Sequence, residues 1–398
     1  MSDTEAPSLP QIDLLNGYWY AADPTPTYRW MRHHAPVYRD DINGLWGISR
    51  YRDIVEIEKQ PSRYSNRNSF RPMPTDTHDD QSMISFDDPR HQTQRRLVAR
   101  RFTPRAVANH HDEIAEVVAG LVDEALAAGS VDAVEALAAP LPAMMIAKYL
   151  GFGIDRWREV KHWSTETIPL GGGIRYQNDT GIAAAFEFAV ACTELIAEKR
   201  ANPTDDMVSV WCHTEIDGVP MSDDSIIAEC LLLVDGGAET TRTVIASTLW
   251  DLVQHPDQLA RLRENPAMIG ESAVEEFIRW VTPVLNMARL VTEDHELAGQ
   301  QLHAGDQLIL MYSSANRDET VFDAPDTYDV GRTHNNHVAF GFGSHFCLGS
   351  SLARLEIRLF FEEFLRRVEH FEITPGTAPN RIPGAFVRGV ENLHLDLR

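Results

Sequence analysis

The chain has 398 residues, of which 43% are hydrophobic and 24% charged, a composition that excludes a fibrous or disordered protein. Its 36 lysines and arginines face 59 aspartates and glutamates, and the net charge of −23 excludes general affinity for nucleic acid, which needs a basic footprint. Four cysteines (Cys192, Cys212, Cys230 and Cys347) show no close pairing, as expected of a reducing compartment without a disulfide framework.

The first residues, MSDTEAPSLPQIDLL, carry no basic-then-apolar signal and no run approaches a membrane span, so a cytoplasmic protein without a membrane anchor is expected. Residues 1–20 read as an irregular lead-in and residues 45–51 as a strand. Residues 66–88, rich in Asn, Asp and Pro, form a loop long enough to be functional. Ile114, Val117, Val118, Leu121, Val122 and Ala125 share one helical face, and Gly129 stops that helix. A Gly-rich loop at 168–180 precedes an amphipathic helix at 182–200. Residues 222–254 are apolar on most faces and predict a helix through the centre of the molecule. A helix at 271–280 follows, then strands at 287–292 and 307–312, with HAGD at 303–306 as a hairpin turn. A last helix covers 352–368. With no repeat and no break in composition, the expectation is one mainly α domain over residues 1–398 with a small antiparallel β part.

The most informative stretch is FGFGSHFCLG at 340–349. Gly341, Gly343 and Gly349 suit positive φ or a backbone pressed close to a large flat ligand. Cys347 precedes a helix start, where N–H groups and the dipole favour a thiolate. A thiolate in an apolar shell suits an axial ligand to haem iron, although a buried structural Cys is the usual fate of a free one. A second constellation, Gly236-Gly237-Ala238-Glu239-Thr240-Thr241, interrupts the central helix. Each glycine weakens a helix interior by about 1 kcal/mol, and a Thr hydroxyl there can bond a ligand instead of its own i−4 carbonyl. A bend with a solvated Glu is the competing reading of these residues alone.

Together the two stretches resemble the haem-thiolate monooxygenases, the cytochromes P-450, and the likeness runs from YRWMRHHAPVYRD at 28–40 to FVRG at 386–389. It implies the fold of that family, with haem b between the long central helix and the Cys loop helix. It also implies Cys347 as iron ligand, a thiolate that favours O–O cleavage. Thr240 becomes the oxygen-side alcohol and Glu239 the proton relay, with Gly236 and Gly237 leaving room for oxygen and substrate. Glu276, Arg279 and Arg332 match a buried ion triad that locks the core. His91, Arg95, Arg289 and His345 match the donors to the haem propionates, and Phe340 and Gly349 flank the cofactor. Substrate-facing positions by the same likeness lie in the loop 66–84, at Leu233, Val234, Val284, Leu285 and Met287, and at 385–387 around Phe386. Asp235, at an otherwise apolar position, has no account in the sequence.

The look is closest to actinobacterial hydroxylases of sterol side chains and branched lipids. It implies a monooxygenase acting on a lipophilic small molecule with O2. A polyketide or terpenoid substrate is the alternative, and peroxide-driven turnover stays open. A non-catalytic haem-thiolate sensor is the rival from another class, but it would need no acid–alcohol pair. No flavin or iron–sulfur segment is present, so electrons are expected from a ferredoxin and ferredoxin reductase. Arg96, Arg100, Arg101, Arg105, Arg354 and Arg358 are the candidate docking charges, with Arg100 and Arg101 facing the partner.

Overall fold

A computed structural model describes residues 11–67, 69–72 and 80–398. Its axis is the apolar stretch expected at 222–254, which forms two helices, Asp223–Val234 and Thr240–Gln254, joined by a π-helical turn at Asp235–Glu239. Ser222 starts the first by accepting the Ser225 N–H at 3.2 Å, and Asp223 and Asp224 complement the positive helix end. Every residue from Thr241 to Leu249 is buried, so this segment has no solvent face and runs inside the molecule. The two glycines lie within the wide turn, where the ladder loosens. A Cβ at Gly237 would come within 2.3 Å of Ile146, so this residue permits close packing against the helix Pro140–Leu150.

The helix His111–Ala128 buries Ile114, Val118, Leu121, Val122 and Ala125 and ends at Gly129, whose φ of +74° is the expected stop. It packs against Ser350–Arg367, the helix that follows the Cys loop. Asp179–Ala201 departs from the expectation that nothing approaches a membrane span. Its 23 residues include a window of mean hydropathy 1.5, which meets the length and composition of a crossing helix. Ala184, Phe188, Ala191, Leu195 and Ile196 nevertheless bury one face, and the helix packs on Trp157–Thr167.

The largest sheet has strands in the order Val37–Asp40, Leu45–Ile48, Gln307–Met311, Asn286–Val291, Tyr64–Ser65. It is not wholly antiparallel as expected: Leu45–Ile48 and Gln307–Met311 pair in parallel. Some 260 residues separate them, so no hairpin dictates their direction. The expected strand at 45–51 stops at Ile48 because Asp318 accepts the Tyr51 N–H at 2.9 Å and starts the helix Tyr51–Glu58. HAGD at 303–306 does turn, with the Asp306 N–H on His303 O at 2.9 Å, but it links strands of different sheets. The true hairpin joins His295–Leu297 to Gln300–Leu302 through Ala298 and Gly299, both with positive φ.

The ion triad forms as expected. Glu276 and Arg279 sit on Val274–Val281 with no exposed side-chain surface, joined in a fork by two bonds of 2.7 Å. Arg332 Nε donates to the same carboxylate at 3.1 Å, as do Asn335 Nδ2 at 3.1 Å and the Asp329 N–H at 2.9 Å. Glu276→Ala strands two arginines in the core. We expect a loss of about 3–5 kcal/mol, read by chemical unfolding, and little haem-loaded protein on purification.

Candidate active site

The loop that carries Cys347 is closed by its own backbone, with the Cys347 N–H on Phe340 O at 2.9 Å. Gly341 and Gly343 turn it with φ of +69° and +72°, and a Cβ at Gly343 would lie 2.3 Å from Glu58 O. The helix Ser350–Arg367 then begins, and its first amides, Gly349 and Ser350, point at the sulfur, with Arg95 and Arg354 nearby. Burial still pushes the Cys347 thiol up, against those donors and cations. The helix start alone therefore does not secure the thiolate expected from sequence. A cation bound at the sulfur reverses that balance.

Between this loop and the central helix lies a cavity of about 1440 Å³, its mouth included. Cys347, Phe340 and Gly349 line it from the Cys loop, and Gly236, Gly237 and Thr240 from the central helix. A Cβ on Gly236 or Gly349 would meet no protein atom within 4 Å, so each faces open space. His91, Arg95, Arg289 and His345 all reach the same cavity. The rings of His91 and His345 stack at 3.9 Å, and Arg95 donates to Phe346 O at 2.5 Å. Burial, with Arg289, His91 and Arg95 alongside, pushes His345 down to about 2, so it stays neutral.

The acid–alcohol pair is split. The Thr240 hydroxyl borders the cavity but donates to Gly236 O at 2.7 Å, keeping the i−4 bond it was expected to release. Glu239 is buried in an ion pair with Arg242 and borders a smaller, separate pocket with Phe386. Burial raises its pKa, and Arg242 opposes the rise. Of the expected substrate positions, Leu233, Val284 and Met287 line the main cavity together with Gly236 and Gly237. Val234 does not, because one step along the helix carries it 100° round into the core. Leu285 sits between the Val284 bridge and the strand Asn286–Val291 and joins a second core cluster instead. Phe386 packs on Gly171 instead. Asn66, Met83 and Ile84 of the expected loop reach the cavity, while residues 68 and 73–79 of that loop lie outside the described residues.

Three buried acids on this scaffold were not read as functional from sequence. Asp235 accepts the Thr167 hydroxyl at 2.7 Å and faces Arg71 at 3.7 Å, so it ties the helix Trp157–Thr167 and the 69–72 segment to the central helix. Burial pushes it up to about 6 against Arg71. Glu356 lines the cavity beside Thr241 and is pushed up to about 8 by burial. Its signal was an acid on the inward face of LARLEIRLFF. Glu229 accepts the Met83 N–H at 2.9 Å and is likewise pushed up to about 8.

A cytochrome P450 family profile matches residues 182–395, more than half of the chain, so the protein belongs to the cytochrome P450 family and is a monooxygenase. It is 39% identical to a steroid C26-monooxygenase of Mycobacterium tuberculosis over 98% of this chain and 97% of that one. A methyl-branched lipid omega-hydroxylase of the same organism is 34% identical over 99% and 96%. Among solved structures, a Bacillus megaterium P450 in complex with testosterone superposes with a TM-score of 0.86 and 31% identity, covering 95% of this chain and 98% of that one. The family's haem iron fits the site: a thiol on one wall, four basic side chains at the cavity, and open space at both Gly236 and Gly349.

The Glu229 carboxyl makes the protein's stability fall with pH. Unfolded, it ionises above its ordinary value of 4.5; folded, it holds its proton to about 8, so stability is full below 4.5 and lost as pH rises to 8. Glu229→Gln keeps an acceptor for Met83 without that cost. Thermal unfolding should show the variant gaining on wild type from pH 5 to pH 8, by on the order of 3–4 kcal/mol at the upper end.

Proposed function

We propose that this chain, as one domain over residues 1–398, hydroxylates a sterol side chain or a branched lipid, with haem b as cofactor and electrons from a ferredoxin and its reductase. The observation that carries the reading is that Cys347 and Thr240 line one and the same cavity. Apolar Leu233, Val284, Met287 and Ile84 line it and give a lipophilic molecule its binding surface. The steroid and branched-lipid names of the relatives support the substrate class.

Bound haem supplies the iron that activates dioxygen, with Cys347 as its protein ligand. His91, Arg95, Arg289 and His345 hold the propionates, and Phe340 and Gly349 shape the wall beside the macrocycle. The hydroxyl of Thr240 rotates from Gly236 O to hold a proton at the oxygen side. Glu239 exchanges protons from its own pocket after leaving Arg242. The apolar walls exclude water and keep a C–H bond near the reacting oxygen.

Electrons enter over the Cys loop, where Phe342 and Phe346 are each 38% exposed. Of the basic residues expected there, Arg101 is a poor choice, since it spends its guanidinium on Asp205 at 2.7 Å and on Asp206 O. Arg354 is likewise engaged by Glu275 at 2.6 Å, and Arg358 has Glu362 at 3.8 Å. Arg96, Arg100 and Arg105 are exposed and have no acidic partner among the described residues, so the docking charge moves to them.

Cys347→Ser should abolish the red-shifted ferrous–CO Soret band peculiar to thiolate ligation. In the same assay series Thr240→Ala should keep that band and substrate binding but use at least several-fold more NADPH per product. A Ser variant that retains the band refutes the ligand. Arg96→Glu with Arg100→Glu should slow ferredoxin-driven haem reduction about tenfold or more at low salt without moving the CO spectrum, and equal rates would remove these charges from the docking face.

A further inference from the structure

Thr282 holds a backbone conformation that its own chemistry opposes. It ends the helix Val274–Val281 with φ of +45° and ψ of +73°, in the left-handed region. A branched Cβ disfavours that region, and a following proline, here Pro283, pushes its neighbour toward extended backbone. The other described non-glycine residues with positive φ, Asp217, Ala298 and Ala324, have no branched Cβ. Thr282 is also buried, so this is a core position and not a surface turn.

Two hydrogen bonds keep it there. The Thr282 hydroxyl donates to Arg279 O at 2.7 Å and accepts from Asn316 Nδ2 at 2.9 Å. Asn316 has no exposed surface, and its Oδ1 accepts the Val338 N–H at 2.8 Å, which leaves Nδ2 as the end that meets Thr282. The Asn316 carbonyl receives Arg279 Nη1 at 2.8 Å. One amide side chain thus ties the end of the ion-triad helix to the segment entering the Cys loop. Just past Thr282 the chain reaches the cavity: Pro283 and Val284 line it together with Leu233, Gly236 and Thr240 of the central helix. Pro283 O accepts the Arg388 N–H at 2.7 Å and Val284 bridges to Val387, so this stretch runs along the C-terminal segment.

We propose that Thr282 is a positioning residue: held left-handed by Asn316 and Arg279 O, it fixes how far Pro283 and Val284 reach into the cavity, and so the shape of the space open to substrate. Its φ and ψ set the direction in which the chain leaves the helix toward that space. A disfavoured conformation persists only where its surroundings over-determine it, and the two hydroxyl bonds do so here. The proposal rests on the haem-thiolate reading of the cavity and is independent of the lipid class of the substrate. A plain helix cap would act otherwise: its loss lowers stability and leaves the cavity with its old shape.

The test is spectral titration of purified holoenzyme with two iron-binding azoles, imidazole as the small reference and 4-phenylimidazole as the probe of room. Thr282→Gly takes the left-handed conformation freely but has no hydroxyl to be held by, so the lining stretch should yield to the larger azole. The ratio of the 4-phenylimidazole Kd to the imidazole Kd should fall at least fivefold from wild type, with the thiolate CO band unchanged. Thr282→Ser keeps both hydroxyl bonds and should stay within about twofold of the wild-type ratio. Should Thr282→Gly fail to load haem, Thr282→Ala carries the same expectation. An unchanged ratio in the loaded Gly or Ala variant, or a Ser variant that shifts as far, overturns the proposal. Loss of haem from both Gly and Ala variants while Ser stays loaded makes Thr282 a plain cap and overturns it too. A wild type without the thiolate CO band overturns the haem-thiolate reading along with the proposal, whereas failure to hydroxylate sterols or branched lipids removes only the substrate class.

Discussion

The position of the reactive sulfur depends on a carboxylate that never touches it. Glu276 receives Arg279, Arg332, Asn335 and the Asp329 amide, and three of those four partners belong to the segment leading into the Cys loop. Arg279 in turn donates to the carbonyls of Asn316 and Pro325, so the helix and that long irregular segment are held as one piece. A segment with little regular structure cannot position a ligand by its own backbone ladder. Here the missing bonds are supplied by a buried ionic centre. Charges in such a place cost several kcal/mol each to desolvate, and only the full set of partners offsets that cost.

The same economy recurs over the cavity. Glu229 and Asp235 bind Met83 and Thr167, so the turn at Met83–Ser85 and the helix Trp157–Thr167 are tied to the central helix. Glu229 is neutral near pH 7, since burial pushes it up to about 8, so its contact is an ordinary hydrogen bond and not a salt bridge. Such contacts are weaker than the Glu276 centre.

How much of this was legible follows from what each residue type can hide behind. Cys347, the glycines before it and the Glu276–Arg279 spacing are rare combinations whose chemistry has few other uses, and all fell where expected. Val234 and Leu285 failed because an apolar side chain in the core and one on a pocket wall obey the same burial rule, and only orientation separates them. Arg101 failed because an exposed-looking cation can be engaged by a carboxylate a hundred residues away, here Asp205. Glu58 gave no signal at all, since a lone acid at a helix end is normally solvated, and only the fold brings Arg289 and Tyr312 onto it.

The central helix resolves these demands by assigning each of its faces one task. Gly236 and Thr240, four residues apart, share the face toward the cavity. Gly237 turns to Ile146 and sets how closely the neighbouring helix approaches. Asp235 and Glu239, also four apart, face away from the cavity toward the helix Trp157–Thr167. There Thr167 donates to Asp235, and Arg242, paired with Glu239, donates to Thr165 at 3.0 Å. The π-helical turn lies where these faces meet, and it loosens the ladder beside the Gly236 carbonyl that accepts the Thr240 hydroxyl. An unbroken α-helix would keep the Thr240 bond and the Gly236 carbonyl more tightly in register. The two glycines and the buried acids flanking them are therefore one device: the glycines loosen the helix toward the cavity, and Asp235 and Glu239 fasten it on the other side.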